Sequence, residues 1–380
     1  MPDNPPTNQI ELKILGMTCD SCAVHVQRAL ESVPEVAEVH VPGWSEGRVT
    51  VIVQQPIDDR RLLTAVKDVG YRAEVLKAEK SEELKESSTA FISLPSDEES
   101  SYDLVVIGTG GAGMAAAIKG AELGHRVCII EQGTLGGTCV NIGCIPSKTL
   151  IWAASVYHKV NHPPFEGLHF QAPKVDWTTL VHEKEQLVAE LRQSKYQDVL
   201  AIFRDNITVV RGRARLRADA SVQLENGHLF HASKIVIATG ARPKVLPVNG
   251  VNKTNILTST SALALKTQPK SLVIIGGRAI ALELGQMFAR FGTKVTILQR
   301  SPRLLPAHDP ELAEALATYL QVEGLTIHTN SVPVSIHEEN NIKILKANIA
   351  GQTREFQTEE VLMAVGRAPN TQDIGLKEAG

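Results

Sequence analysis

Residues 104–132, LVVIGTGGAGMAAAIKGAELGHRVCIIEQ, and residues 272–300, LVIIGGRAIALELGQMFARFGTKVTILQR, follow one pattern twice. Each runs from an apolar strand through a glycine turn and a small-residue helix to a second strand, the βαβ arrangement that holds a nucleotide. Two such units in one chain predict two nucleotides on separate domains, one passing electrons to the other. At 380 residues and 43% hydrophobic, the chain has material for two or three separate cores.

In the first copy Gly108, Gly110 and Gly113 fit G-x-G-x-x-G between strand and helix, and Glu131 ends the next strand where a carboxylate takes a ribose hydroxyl. Such glycines let the backbone approach a pyrophosphate, which rests against the positive helix N-terminus. In the second copy Gly276 and Gly277 are followed by Arg278, where the close-approach glycine would stand. The acid is also absent: the strand ends at Gln299, followed by Arg300 and Arg303. Loss of the carboxylate with gain of two arginines favours the 2′-phosphate of NADPH; the alternative is a pair of surface arginines in a loop.

Eight residues after Glu131 comes Cys139, in GGTCVNIGCIPSK (136–148), with Cys144 five positions on; the whole chain has only five cysteines. The pair has three readings: a structural disulfide, two metal ligands, or a redox pair. The N-terminus has no cationic start followed by an apolar stretch, and no segment reads as the roughly 18 apolar residues of a membrane span. This predicts a cytoplasmic protein, whose reducing surroundings disfavour a structural disulfide. Net charge is −3, which gives no pull toward nucleic acid or an acidic membrane. The run RGRARLR (Arg211, Arg213, Arg215, Arg217) reads as a solvated strand face rather than a phosphate patch.

IPSKTLIWAAS after the cysteines reads as a helix, so the thiols enter near a helix N-terminus, where the macrodipole favours thiolate. A nicotinamide delivers hydride and a disulfide accepts two electrons through sulfur, and a flavin is the natural relay between them. FAD is therefore assigned to the first glycine turn and NADPH to the second.

Residues 77–100 are rich in Glu, Lys and Ser and read as a tether. Upstream, the order βαββαβ predicts a small ferredoxin-like unit. It carries GMTCDSC (16–22), whose Cys19 and Cys22 open the first helix with a spacing that suits Hg(II), Cu(I) or Zn(II). A thioredoxin-like redox role for C-x-x-C is disfavoured, because no βαβ thioredoxin pattern surrounds it. The predicted fold is α/β: two Rossmann-like FAD/NAD(P)-binding domains preceded by a ferredoxin-like α+β metal-binding domain.

The motif GGTCVNIGCIPSK resembles the active-site signature of the pyridine nucleotide-disulfide oxidoreductases, and residues 102–380 follow that family's order through IVIATGARP (235–243) and VLMAVGRAPNT. The resemblance implies that Cys139 is the interchange thiol facing substrate and Cys144 the thiol beside the flavin. It implies FAD contacts at Gly113, Gly133, Thr138, Lys148, Ala214, Thr239 and Gly240, nicotinamide contacts at Gly276 and Gly277, and a Lys148–Glu283 ion pair. GMTCDSC is similar to the heavy-metal-associated domain of metal chaperones and transport ATPases. The two together resemble the mercuric reductase branch of the family, in which NADPH reduces FAD, FAD reduces the Cys139–Cys144 pair, and thiolate-held Hg(II) leaves as Hg(0). The alternatives are another flavin disulfide reductase with an accessory metal domain, or a non-catalytic soft-metal-binding protein.

The implied domains are 1–76 (heavy-metal-associated), 77–100 (tether), 101–245 (FAD), 246–368 (NADPH) and 369–380, the start of a return to the FAD domain. In that family a strand ending in Gly-Asp, a dimerisation domain and a C-terminal cysteine pair follow. No Gly-Asp occurs here, so the expectation is a C-terminally truncated chain of an enzyme that is a homodimer at full length. His158 and His162 are spaced as helical metal ligands but stand before Pro163 and Pro164, and read as a solvated helix end. Cys128 reads as core.

Overall fold

The computed structural model describes residues 8–17, 20–42, 47–54, 57–76, 91–92, 94–96, 98–163, 165, 167–171 and 173–380. They form two compact units: 1–90 with 197–202, and 91–196 with 203–380.

The first unit runs β1 (Asn8–Leu15), α1 (Asp20–Glu31), β2 (Val36–His40), β3 (Arg48–Val53), α2 (Asp59–Asp68) and β4 (Arg72–Leu76). Its sheet has the order β2-β3-β1-β4 with every pair antiparallel, the ferredoxin-like arrangement. Val49, Val51 and Val53 alternate along β3, so all three point to one face. Val26 and Leu30 of α1, and Leu62 and Val66 of α2, are i,i+4 pairs that cover that face. Each large side chain so buried contributes about 1.5–3 kcal/mol. Asp58 starts α2 by accepting from the Arg60 N–H at 3.0 Å.

The second unit contains both βαβ repeats. The first is β5 (Glu99–Ile107), α3 (Gly111–Glu122) and β6 (Val127–Glu131). Then follow α4 (Gly137–Ile142), α5 (Cys144–Asn161) and α6 (Trp177–Arg192); next in sequence comes α7 (Asp198–Ile202), which belongs to the first unit, and the second unit resumes with β7 (Ile207–Arg211), β8 (Ala214–Leu216), β9 (Val222–Leu224), β10 (Leu229–Ile237) and β11 (Ala241–Pro243). After the short α8 (Ser259–Ala262), the second repeat is β12 (Ser271–Ile275), α9 (Ala279–Arg290) and β13 (Lys294–Leu298). It is completed by α10 (Pro310–Val322), β14 (Thr326–His328), the meander β15 (Ser331–Glu339), β16 (Ile342–Ile349) and β17 (Gln352–Thr358), then β18 (Glu360–Met363) and β19 (Arg367–Pro369).

The duplication seen in the sequence is a duplication of topology. Strands β7-β6-β5-β10 are parallel in that order, and β14-β13-β12-β18 repeat the same order. In each half an antiparallel insert precedes the returning strand, β8–β9 in the first and β15–β17 in the second. One core joins the halves: Leu150 and Ala154 of α5 and Trp177 and Val181 of α6 share it with Leu284, Met287 and Phe288 of α9.

The tether and its junction divide at residue 90. Residues 77–90 lie outside the described residues, whereas Ile92 bridges Val210 in parallel and the Leu229 N–H donates to Glu98 O at 2.9 Å. The last residues of the expected tether thus pair with the sheet of the first repeat, because β7 is its edge and leaves backbone groups to satisfy.

One helical stretch, Gly137–Asn161, is long and apolar enough to cross a membrane by length and composition alone. This corrects the expectation that no segment comes near a span. The stretch breaks at Gly143 (φ −131°, ψ −109°) into α4 and α5; Leu150 and Ala154 of α5 are buried in the shared core, whereas Ile142, Trp152 and Val156 are exposed.

Candidate active site

The first glycine turn is built by close approach. A Cβ on Gly108 (φ +105°) would stand 2.4 Å from Ala238 O, and one on Gly113 would stand 2.0 Å from Gly108 O. No side chain fits at either position, so the strand, turn and helix lock together. Gly113 is therefore buried beneath the turn and serves packing. Gly110 is the N-cap of α3 with no side-chain partner, and Gly111 and Gly240 face open space.

The same logic explains why the cysteine motif opens with two glycines. Gly136 (φ +104°) and Gly137 (φ +64°) pass across the turn so closely that a Cβ on Gly137 would lie 2.5 Å from Gly110 Cα. That crossing brings α4, and Cys139 with it, to the edge of the nucleotide turn. Asn141 holds it there: its Nδ2 donates to Leu135 O (2.8 Å) and Gly137 O (3.0 Å), and its Oδ1 accepts from Arg192 of α6 at 3.2 Å.

A cleft of about 1040 Å³ runs across the turn. Of the residues expected to bind FAD, it is lined by Gly108, Gly110, Glu131, Gly133, Thr138, Ala214, Thr239 and Gly240, and Cys139 opens onto it. Gly113 and Lys148 are not on its wall. Its size is at the upper end of ligand sites, about 300–1,000 Å³, which suits a dinucleotide. The open glycine face and the uncapped helix start fit a pyrophosphate.

Glu131 organises the floor. Its Oε2 accepts from Thr109 N–H at 3.0 Å and Thr109 Oγ1 at 2.6 Å, its Oε1 accepts from Gly133 N–H at 2.8 Å, and Thr109 Oγ1 accepts in turn from Gly136 N–H at 3.1 Å. The far wall is made where β11 crosses β19 antiparallel. Arg242 donates to Pro369 O at 3.0 Å, and Asn370 Nδ2 donates to Thr239 O at 2.9 Å.

Cys139 and Cys144 are both exposed free thiols within hydrogen-bonding reach of each other. Cys144 is the first residue of α5. The expectation of a thiolate-favouring environment does not hold for Cys139. Partial burial, and then the neighbouring Cys144, push its thiol up to about 11, since two adjacent sulfurs resist holding two negative charges. Lys148, one turn along α5, pairs with Glu283 of α9 at 2.6 Å.

In the second repeat, a Cβ on Gly276 (φ +123°) would stand 2.4 Å from Ala364 O, so this glycine plays the part of Gly108. Arg278 occupies the N-cap of α9 with φ −108°, a conformation open to any residue, and its side chain is exposed. What is lost relative to glycine is space, not backbone freedom. Gln299 is buried against Gly277, and the Leu305 N–H donates to Gly277 O at 2.9 Å, folding segment 299–305 onto the turn. Arg300 is exposed beside it. Arg303 is half-buried and is spent partly on the loop, donating from Nη2 to Pro306 O at 3.2 Å.

Several expected or unforeseen residues fall elsewhere. Cys19 lies outside the described residues; Cys22 is half-buried in the first turn of α1. Cys128 is fully buried in β6. His158 and His162 stack at 4.3 Å near the end of α5, and among the described residues no group of three or more His, Cys, Asp or Glu side chains is placed to hold a metal. The arginine run is largely paired: Arg215 with Glu378 (2.6 Å), Arg217 with Gln223 (3.1 Å). Sequence reasoning missed Tyr196, whose ring lies 3.4 Å from a Cβ position on Gly136 and whose phenol burial pushes above its usual range, the two cysteines adding to the effect. It also missed Asn141, Arg242 and Asn370; all three lie in quoted motifs, but nothing in their spacing tells a cleft wall from a turn.

Two dinucleotide halves of one topology, with a thiol pair on a glycine-rich crossing between turn and helix, define a flavoprotein disulfide reductase architecture. Comparison with known proteins agrees: residues 102–380 match the pyridine nucleotide-disulphide oxidoreductase family and 11–72 the heavy-metal-associated domain. The chain belongs to the pyridine nucleotide-disulphide oxidoreductase family, as the sequence resemblance implied, and so to a family of oxidoreductases that use FAD and a nicotinamide. It is 36% identical over 373 residues to a mercuric reductase of Lysinibacillus sphaericus, covering 98% of this chain and 66% of that protein. It is 38% identical over 379 residues to the mercuric reductase of Shigella flexneri, covering 97% of this chain and 67% of that protein. The chain thus spans about two thirds of the length of these relatives. Among solved structures, the Cu(II) complex of the HOCl-induced flavoprotein disulfide reductase RclA from Escherichia coli superposes with a TM-score of 0.65 at 33% identity, covering 74% of this chain and 60% of that one.

Proposed function

We propose that this chain is the FAD- and NADPH-binding part of a cytoplasmic mercury(II) reductase. The observation that carries the proposal is the placement of Cys139 on the wall of the dinucleotide cleft with Cys144 in hydrogen-bonding reach. Two adjacent soft sulfurs suit a d¹⁰ ion such as Hg(II), and two neighbouring thiols can also be oxidised to a disulfide. FAD, when bound in the cleft, supplies the two-electron relay between nicotinamide and the cysteine pair.

The chain's own residues do the rest. The α3 N-terminus and Gly110 receive the pyrophosphate, Glu131 fixes the loop beneath the ribose, and Thr138, Ala214, Thr239 and Gly240 line the walls. Arg300 and Arg303 favour a nicotinamide carrying a 2′-phosphate. Because the Cys139 thiol is protonated at neutral pH, Hg(II) capture displaces its proton, and affinity rises with pH. NADPH and Hg(II) then become NADP⁺, a proton and Hg(0), with two electrons transferred. The N-terminal domain, through Cys19 and Cys22, gathers soft metal ions and passes them on. A full-length form acts as a homodimer.

A second reading, a flavin disulfide reductase acting on another oxidant, is favoured by the structural likeness to RclA. Stimulation of NADPH oxidation by an Hg(II)–thiol complex, with Hg(0) vapour trapped and counted, tests the first against the second. Oxidation driven equally by a small disulfide, with no Hg(0), would leave the second standing.

A further inference from the structure

Two features have no place in that account: Arg211, the first arginine of the RGRARLR run, and residues 91–98, the last part of the expected tether. They meet beside Gly133, which lines the nucleotide cleft. The chain enters the second unit along the edge strand β7, where the Ile92 N–H donates to Val209 O at 3.0 Å. It then crosses to the β9–β10 turn. There Asn226 Nδ2 donates to Leu94 O at 3.1 Å, and the buried His228 donates from Nδ1 to Pro95 O at 3.0 Å while its Nε2 accepts from Ser100 Oγ at 2.9 Å. Three of these attachments hold residues 92, 94 and 95, and with them the neighbouring Phe91, while the fourth fixes His228 to β5.

Phe91 lies under the Arg211 guanidinium, 4.9 Å from carbon to ring centroid. Arg211 Nη2 donates to Gly133 O at 3.3 Å. Gly133 donates to Glu131, Glu131 holds Thr109 in the glycine turn, and Thr109 holds Gly136. A continuous series of contacts therefore runs from the tether end to both loops of the cleft. An exposed arginine at the end of a strand has many rotamers, and one 3.3 Å hydrogen bond does not select among them. The ring beneath its flat face does.

We propose that Arg211, held by Phe91, is a positioning residue for the dinucleotide cleft, so that the end of the tether is a working part of the nucleotide site. Phe91 stacks on the guanidinium, the guanidinium fixes the Gly133 carbonyl, and the 132–136 loop is kept in the shape that accepts the adenosine end of the cofactor. This rests on reading the cleft as the flavin site.

The test uses the full 380-residue chain with Phe91→Ala, Phe91→Trp, Arg211→Ala and the Phe91→Ala/Arg211→Ala double variant. Amide exchange of peptides covering 132–136 is followed beside FAD titration. Phe91→Ala and Arg211→Ala should each speed exchange at 132–136, leave 272–298 unchanged, and weaken FAD about two- to fivefold, the factor an exposed cation–π contact supplies. The double variant should be no worse than either single one, because both remove the same contact. Phe91→Trp should behave as the parent. Faster exchange throughout the unit would assign Phe91 to general stability and overturn the proposal, as would additive losses or unchanged exchange at 132–136. If the parent binds no FAD, the flavin reading falls, and exchange at 132–136 still decides whether Phe91 and Arg211 shape the loop.

Discussion

Lys148 Nζ lies 2.6 Å from Glu283 Oε2, joining the helix that begins at Cys144 to the helix of the second glycine turn. The two side chains are 58% and 41% exposed, so solvent screens the pair and its worth in stability is about 0–1 kcal/mol. Its importance is geometric: it fixes the thiol-bearing helix against the helix of the second βαβ repeat.

Glu283→Gln and Lys148→Met should therefore behave alike. Each should move the melting temperature by no more than about 4 °C. NADPH-dependent turnover should fall by on the order of tenfold to 100-fold, because small displacements of reacting groups are costly. Stopped-flow reduction and a thermal melt on the same samples separate the two effects. A melting temperature lowered in step with activity would make the pair a stability element.

Glu131 accepts from three donors in the cleft floor, two of them on Thr109, which is fully buried. Glu131→Ala should leave those donors unpaired and cost about 1–3 kcal/mol, read from urea denaturation. Glu131→Gln retains an acceptor oxygen and should cost less. Equal losses in the two variants would show that charge, not hydrogen-bond acceptance, holds the loop.

Much of this was legible in the sequence because a few residues have one physical use. Gly108 and Gly276 adopt positive φ and permit a backbone approach in which a Cβ would stand 2.4 Å from a facing carbonyl oxygen, so a glycine between strand and helix announces the turn. Alternation in RVTVIV and the i,i+4 spacing of Leu62 and Val66 announce a half-buried sheet under helices. Residues whose role depends on a distant partner were silent. Phe91 looks like any apolar residue in a polar tether until Arg211 is placed above it. Tyr196 is 57 residues beyond Cys139, and nothing local marks it. The thiol chemistry was half legible: helix position argued for thiolate, but burial and the second sulfur outweigh it at Cys139.

Nicotinamide choice should depend on Arg300 more cleanly than on Arg303. Arg300 is exposed, whereas Arg303 also donates to Pro306 O and its own carbonyl accepts from Gln299. Arg300→Ala should narrow a preference for NADPH over NADH by about 10- to 100-fold, the worth of one charge-assisted contact at roughly 1.5–3 kcal/mol. Arg303→Ala should also raise loop mobility and affect both nicotinamides. Binding measured by nicotinamide fluorescence checks this, and an unchanged ratio in Arg300→Ala would remove the arginine from the specificity argument.

The N-terminal unit has its own core and should act as a metal carrier, not a catalyst. Cys19→Ser with Cys22→Ser should abolish tight Hg(II) binding by that unit, yet leave reduction of Hg(II) supplied as a small thiol complex within about twofold, since the chemistry is assigned to Cys139 and Cys144. Mercury counted on the isolated protein, beside turnover, gives both readings. Loss of turnover in this variant would move the chemistry into the wrong domain for the present proposal.

The cysteine pair itself makes the sharpest prediction. The reactive form of a thiol is the thiolate, so alkylation of reduced Cys139 by iodoacetamide should follow its ionisation. With the thiol pushed up to about 11, Cys139 is almost wholly protonated at pH 8, and its alkylation rate should climb about tenfold per pH unit toward that value. Partial burial is the largest cause and the hydrogen bond and charge of Cys144 come next. Cys144→Ala removes the second and third of these but not the first, so the rise should move to lower pH without returning to the ordinary thiol value. Peptide mass spectrometry after timed alkylation resolves Cys139 from Cys144. A Cys139 rate that levels off below pH 9, or a profile unmoved by Cys144→Ala, would mean that the two sulfurs do not share their protons and would undercut their assignment as one redox and mercury-binding pair.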